Sequence, residues 1–384
     1  MQPSGEQSLV ATVPPPIHGD VLEAILSHLP LIHLVPKSLV SKAWNKAVTS
    51  ILIKSPKPQP WLIINTQTTR SPYLTTTLAY DPASRLWINI NQPSINYVSA
   101  LRSSQPSLLY MITPSKSSFS FDPLHLTWHH AVGPRVWRID PIVAKVGTHV
   151  VVAGGTCDFE HDPLAVEIFN IDSRTWSKPE PMPEHFKGSA SSTWHSVASE
   201  DHRLFVVTKN DAVLHTFDPV TNTWDGPYNL ATDPTMFYSV IGFCNDMLIL
   251  IGMLGDANDV VGVKLWEVSC ESFECYQIGE MPVDLVEKLK GDELEVSSIE
   301  GRMAGNVVYI YKPVGAEEVI VCEFGGGGEC VWWSVENAVG GDRWISERVV
   351  FTCSNVGIDE LRRVTRLMVY FQRRRSLCNL LCHY

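Results

Sequence analysis

The chain has 384 residues, 45% of them hydrophobic and 18% charged, with 41 acidic against 30 basic side chains and a net charge of −11. Such a composition describes a soluble globular protein with a sizeable core and excludes a disordered one. Its acidic balance argues against a non-specific nucleic-acid binder, which needs a basic face for phosphate. No apolar run approaches the roughly 18 residues that cross a bilayer, and the longest, around Met247 to Leu254, is strand-length. The N-terminal MQPSGEQSLVATVPPP has neither the basic start nor the apolar segment of a secretory signal, so no membrane is expected and the default location is cytoplasmic, nuclear or both. Nine cysteines at spacings such as Cys270/Cys275, Cys322/Cys330 and Cys378/Cys382 form no zinc-ligand pattern; they read as reduced thiols packed in strands, with no metal.

Residues 1–16 are polar and end in Pro14-Pro15-Pro16, which predicts an extended leader. A helical pattern comes next. Asp20 with Glu23 fits a capping box, and Val21, Leu22, Ile25, Leu26 and Leu29 recur at helical spacing until Pro30. Leu31 to Val35 is a second apolar stretch, Pro36 can open a third helix through Leu39, Val40 and Trp44, and Ala47, Val48, Ile51 and Leu52 mark a fourth. Four short helices are too small a set to fold unaided. The module at 17–55 therefore either docks on the β region C-terminal to it or is completed by a partner.

Its residues resemble a known pattern. The run Ile17-His18-Gly19-Asp20-Val21-Leu22-Glu23-Ala24-Ile25-Leu26-Ser27-His28-Leu29-Pro30, followed by Leu39-Val40-Ser41-Lys42-Ala43-Trp44, resembles the F-box, with Ile17-His18-Gly19 in place of the family's opening leucine-proline. In that family such helices bind the Skp-family adaptor of a cullin–RING ubiquitin ligase. The resemblance implies the same partner here, with Ile17, Leu22, Ile25, Leu26, Leu29, Pro30, Leu34 and Val40 at the adaptor and Trp44 inside the module.

From Trp61 onward, short β-rich runs alternate with Gly, Pro, Asn and Asp clusters, the pattern of an all-β fold. One phrase repeats: an aromatic, Asp-Pro or a relative, then a Trp. It reads Tyr80-Asp81-Pro82…Trp87, Phe121-Asp122-Pro123…Trp128, Phe169-Asn170-Ile171-Asp172…Trp176 and Phe217-Asp218-Pro219…Trp224, with worn copies at Trp266…Tyr276 and Cys322…Trp332-Trp333. Taking the ring at 87, 128, 176, 224, 276 and 333, the separations are 41, 48, 48, 52 and 57 residues. A period of that size with β content predicts propeller blades. Ahead of each phrase lies an apolar strand, such as Val150-Val151-Val152-Ala153-Gly154-Gly155 or Val307-Val308-Tyr309-Ile310-Tyr311. The Asp side chain suits a turn, and the Trp is expected to cover the seam to the next blade.

The copy with Gly154-Gly155 resembles the kelch repeat, and the pattern covers roughly residues 60–355. The expected fold is thus mainly β: a six-bladed kelch-type propeller preceded by a small all-α F-box module. The first repeat begins at a second strand, near Trp61, so the spare strand Arg348–Cys353 is expected to complete the first blade and seal the ring. Residues 356–384 carry Arg362, Arg363, Arg366, Arg373, Arg374 and Arg375 and are expected as a basic, solvated tail.

Propellers host enzymes, so an active site has to be sought. The densest ligand-like group, Asp158-Phe159-Glu160-His161-Asp162, has no second set to join it, nor does His129-His130. There is no G-x-S-x-G and no Walker loop, and Gly325 to Gly328 reads as a hairpin turn. No catalytic residue, cofactor or metal is assigned. Two readings remain: a ligase substrate receptor, or a propeller enzyme or kelch scaffold with a degenerate helical cap. The joined modules resemble plant F-box/kelch-repeat proteins, and the runs IHGDVLEAILSHLPLIHLVP and RVVFTCSNVGIDEL look most like the subgroup acting on chalcone synthase. That resemblance implies a substrate receptor with chalcone synthase or another phenylpropanoid enzyme as target. Loops after the second and fourth strands should share one rim, including 156–163, 178–193, 226–235, 279–291 and 337–345. Arg135, Trp137, Arg138, Lys187, Trp194 and Lys209 are its expected target-binding residues.

Overall fold

The computed structural model describes residues 19–54, 59–71, 73–90, 99–155, 162–200, 202–292, 295–326, 328–357, 360–361 and 368–371. The leader, Ile17, the Asp158–His161 stretch and the arginines of the C-terminal segment lie outside the described residues. The chain divides into two compact units, one of residues 1–57 with 357–365 and one of 58–356 with 366–384.

The first unit holds three helices rather than four: α1 (Asp20–Ser27), α2 (Leu31–Lys37) and α3 (Lys42–Lys54). Pro36 does not open a helix. It sits inside α2, whose last turn closes through Ser38 N–H to Leu34 O (3.1 Å) and Leu39 N–H to Pro36 O (3.2 Å). The next helix starts where a cap exists: Ser41 Oγ accepts the Trp44 N–H at 3.3 Å, and no Gly or Pro interrupts the run to Lys54. The capping box also fails. Glu23 reaches across to α3, accepting from Lys54 Nζ (2.7 Å) and Ser50 Oγ (3.1 Å), and Gly19 caps α1 without a side chain. Leu22, Leu26, Leu31, Ile32, Leu34, Val35, Ala47 and Val48 form the buried positions of these helices, with α1 and α2 both packed on α3; Trp44 is only half-buried.

The second unit is a propeller of six blades, each an antiparallel sheet. From the axis outward, blade 1 is Glu347–Val356, Gln59–Thr68, Thr75–Asp81 and Leu86–Ile90. Blade 2 is Arg102–Gln105, Leu108–Ile112, Lys116–Ser120 and His129–Val132; blade 3 is Ile142–Val146, His149–Ala153, Val166–Asn170 and Thr175–Ser177. Blade 4 is His195–Ser199, Leu204–Thr208, Val213–Asp218 and Thr223–Asn229; blade 5 is Met236–Cys244, Met247–Gly255, Val260–Val268 and Cys275–Glu280. Blade 6 is Glu300–Ala304, Val307–Tyr311, Glu318–Phe324 and Cys330–Glu336. The C-terminal strand seals the ring as expected, pairing Glu347–Val356 with Thr68–Gln59 over its whole length.

The repeated phrase is the turn between third and fourth strands. Asp81, Asp122, Asn170 and Asp218 each accept backbone N–H groups two and three residues on, or an N–H and the Ser84 hydroxyl for Asp81. Four residues after each, Arg85, Leu126, Arg174 and Asn222 adopt positive φ, and Phe273 does so four after Ser269. The Trp residues face the preceding blade, not the next. Trp87 donates its indole N–H to Glu336 O of blade 6 and Trp176 to Val132 O of blade 2, both at 3.0 Å. Trp128 and Trp224 likewise pack on blades 1 and 3. In the worn copies the ring shifts by one register. Trp332, opposite Cys322, lies on the blade 5 seam while Trp333 lies on that of blade 1. Tyr276 is exposed, and Trp266 fills its seam from the adjacent strand because Gly252 leaves room: a Cβ there would sit 2.8 Å from the indole.

Gly154 and Gly155 behave as the kelch resemblance implies. Both have positive φ, and a Cβ on either would meet backbone of Ala190 or Pro141 at 2.3 Å. Two connections expected as irregular carry helices instead, α4 (Val283–Lys290) and α5 (Gly341–Ser346). In α4 the spacing of Leu285, Val286 and Leu289 buries them at the seam of blades 5 and 6. The C-terminal segment is not simply a solvated tail: Leu361 is buried, and Met368–Phe371 pairs with Leu86–Ile90 as a fifth strand on blade 1. None of the described helices is long and apolar enough to cross a membrane.

Candidate functional site

Two surfaces stand out, one on each unit. On the helical unit, Val21 (62%), Ile25, Leu39 (81%), Val40 and Ile53 (74%) are exposed. Exposed apolar residues at this density on so small a unit are the ones to mark an interaction surface. Among the residues expected at the adaptor, Ile25 and Val40 stand on that surface, and Leu29 and Pro30 are half-buried. Leu22, Leu26 and Leu34 are corrected to interior positions, because the period of an amphipathic helix turns them toward the other two helices.

On the propeller, the first residues of the inner strands ring the mouth of the central channel on the rim that bears the connections after second and fourth strands. They line a funnel of two merging cavities of about 600 and 290 Å³, which share Ser103, Ser192, Glu300, Arg302 and Pro313. Charge is concentrated there. Glu300 lies between two cations: Lys209 Nζ pairs with its Oε1, and Arg302 donates to its Oε2 at 3.2 Å and to Phe351 O at 2.9 Å. Burial alone would raise the Glu300 pKa, but the two cations hold it below the usual carboxylate range. Asp140 accepts from Arg102 at 3.0 Å, from the Ser192 and Thr193 hydroxyls at 2.6 and 2.7 Å, and from Ser191. These hydroxyls outweigh its burial and keep it ionised. His195 is held by Nδ1 to Ser191 O (2.8 Å) and edge-on to the Phe186 ring; burial pushes its pKa down to about 4, so it is neutral near pH 7.

The structure separates the six expected target-binding residues. Trp194 (50% exposed) and Lys209 both line the funnel, Lys209 from its buried floor. Arg135 and Trp137 are exposed on the connection from blade 2 to blade 3, and Lys187 is exposed and paired with Glu184 of its own turn; none of the three lines the funnel. Arg138 is corrected to a structural residue. It is 2% exposed, donating to Gly154 O (2.6 Å), Ala165 O (2.9 Å) and Glu167 Oε2 (3.3 Å), while Glu167 accepts the Arg135 and Val136 N–H groups. Sequence reasoning missed Arg102, Asp140, Glu300, Arg302 and Arg348. Their signal is faint: charged residues opening short runs just before each strong apolar strand, legible only once those runs are known to be innermost strands.

Among the described residues no group of three His, Cys, Asp or Glu side chains is placed to hold a metal ion, and the six described cysteines are free thiols. No protein-family model matches the chain. Among solved structures it superposes on TolB from Acinetobacter baumannii with a TM-score of 0.44 and 9% identity over 80% of this chain and 70% of that one, a likeness that carries no argument. Its sequence is 42% identical over 367 residues to an F-box/kelch-repeat protein of Arabidopsis thaliana, covering 91% of this chain and 92% of that one. A match of that depth and coverage places the chain in the F-box/kelch-repeat protein family.

Proposed function

We propose that this protein is the substrate-recognition subunit of a Skp/cullin/F-box ubiquitin ligase. The helical unit holds the Skp-family adaptor, and through it the cullin and RING subunits, while the propeller holds a target protein and promotes its ubiquitination and degradation. The observation that carries the reading is the exposed set Val21, Ile25, Leu39 and Val40 on a unit whose own core is already filled. Such a face gains by burial against a partner helix at about 25 cal/mol per Å². The resemblance of the N- and C-terminal runs supports chalcone synthase, or another phenylpropanoid enzyme, as the target. The protein acts as a non-catalytic adaptor in this reading.

The test is capture of a purified Skp-family adaptor by the full chain. Ile25→Asp with Val40→Asp should weaken capture at least tenfold, since central apolar residues dominate small interfaces, and leave the β circular dichroism signal intact. Undiminished capture by a folded double variant sinks the assignment of this face. For the target, chalcone synthase should be retained by a variant lacking residues 1–55 and its half-life lengthened in cells expressing that variant.

A further inference from the structure

The funnel carries a charge surplus opposite in sign to the chain. Overall the acids outnumber the bases 41 to 30, yet among the described residues the funnel lining holds Arg102, Lys209, Arg302 and Arg348 against Asp140 and Glu300. Both carboxylates are engaged: Asp140 by Arg102 and three hydroxyls, Glu300 by Lys209 and Arg302. Arg348, the second residue of the sealing strand, is exposed and has no carboxylate within ion-pair distance among the described residues. It lines the same cavity as Arg102, and burial and the Arg102 charge lower its proton affinity, with Tyr73 acting in the opposite sense. Two guanidinium groups lining one cavity repel, and a shared anion relieves that cost with charge-assisted hydrogen bonds.

We propose that the mouth of the channel, at Arg102 and Arg348, is a carboxylate-binding site that takes an acidic side chain from an extended segment of the target protein; this rests on the reading of the propeller as the target receptor. The occupant is a protein because of what surrounds the funnel. Trp194 stands half-exposed at its wall, and Trp137, Ile139, Val283 and Val314 are exposed on connections of the same rim, with Ile345 on the last. A small anion would not reach that apolar surround, whereas a peptide with its carboxylate in the funnel would cover it.

A peptide display library panned on the full chain tests this, followed by titration of the best peptide obtained. The expected result is an Asp or Glu fixed at one position, with Glu→Gln or Asp→Asn there weakening binding about tenfold or more. Arg348→Ala should weaken it similarly and leave the fold alone, since Arg348 is exposed and has no carboxylate partner among the described residues, and Arg348→Lys should recover part of the loss. In Arg348→Ala protein the peptide's acid-to-amide change should cost much less, which a merely structural arginine would not produce. Enriched peptides without an acid, no enrichment at all, or equal binding to both arginine variants overturns the proposal. So does tight, Arg348-dependent binding of succinate or inorganic phosphate alone, which would make this a site for a free anion. Adaptor capture by the wild-type chain reads the ligase assignment separately: its absence refutes that reading, and its persistence in the Arg348→Ala chain with peptide binding abolished leaves that reading standing.

Discussion

At the residue scale, the molecule shows how burial decides what an ionisable side chain does. Arg138 and Glu167 form an ion pair whose side chains are 0% and 2% exposed, closed by two carbonyls and two backbone N–H groups that fix the 133–141 connection. Removing one member strands the other, so Arg138→Ala or Glu167→Ala should cost about 3–5 kcal/mol in urea unfolding, whereas an apolar pair at both positions should cost far less. His195 gives a pH prediction. Its folded pKa of about 4 lies below the ordinary 6.5, through burial and the Lys209 charge, with Asp211 acting in the opposite sense and His185 in the same. The unfolded chain then binds the extra proton between those values, so this contribution is fully present above pH 6.5 and lost as the pH falls toward 4. It amounts to roughly 3 kcal/mol at most, and the neighbouring His215, also lowered by burial, adds in the same direction. Denaturation midpoints measured from pH 7 to 4 should fall, and His195→Phe should flatten the slope.

Element behaviour follows from where a strand's partner comes from. Glu347–Val356 is the innermost strand of blade 1, paired along ten residues with Gln59–Thr68, whereas Met368–Phe371 only extends that blade's outer edge. A chain ending before Glu347 should therefore expose a long unpaired edge and aggregate, since a bare edge templates other chains. A chain ending at Leu361 should stay monodisperse by light scattering and lose little stability. Equal behaviour of the two truncations would mean that the ring closes some other way. The six apolar second strands are plain in the sequence, and all of them sit where their runs of Val, Ile and Leu place them. Inner strands are harder to read, because Arg102–Gln105 and Glu300–Ala304 mix charge with small residues to line a channel rather than a core. Helix boundaries near Pro36 differ from expectation for a related reason: a proline that suits a first turn is tolerated in a last one, and Ser41 supplies the stronger start.

At the scale of the whole molecule, the proposed function gives the two units different tasks. A fragment of residues 58–356 contains all six blades with the sealing strand, so it should unfold in one cooperative transition and bind no adaptor. Aggregation of that fragment would instead make the helical unit part of the propeller's stability. The fold class, the blade number and the mode of closure are legible in the order of residues, because each rests on local regularities: turn residues at fixed offsets, apolar runs at a fixed period, and one strand left over. The helical unit is marked there too by its run of motif residues. Which way the tryptophans face, which apolar helix residues are spare and which charges are buried emerge only from long-range packing. Those are properties of neighbours far apart in the chain. Arg102 and Arg348 stand 246 positions apart and line one cavity only when the ring closes, and Arg138 becomes structural only because Glu167 arrives beside it from the third strand of blade 3.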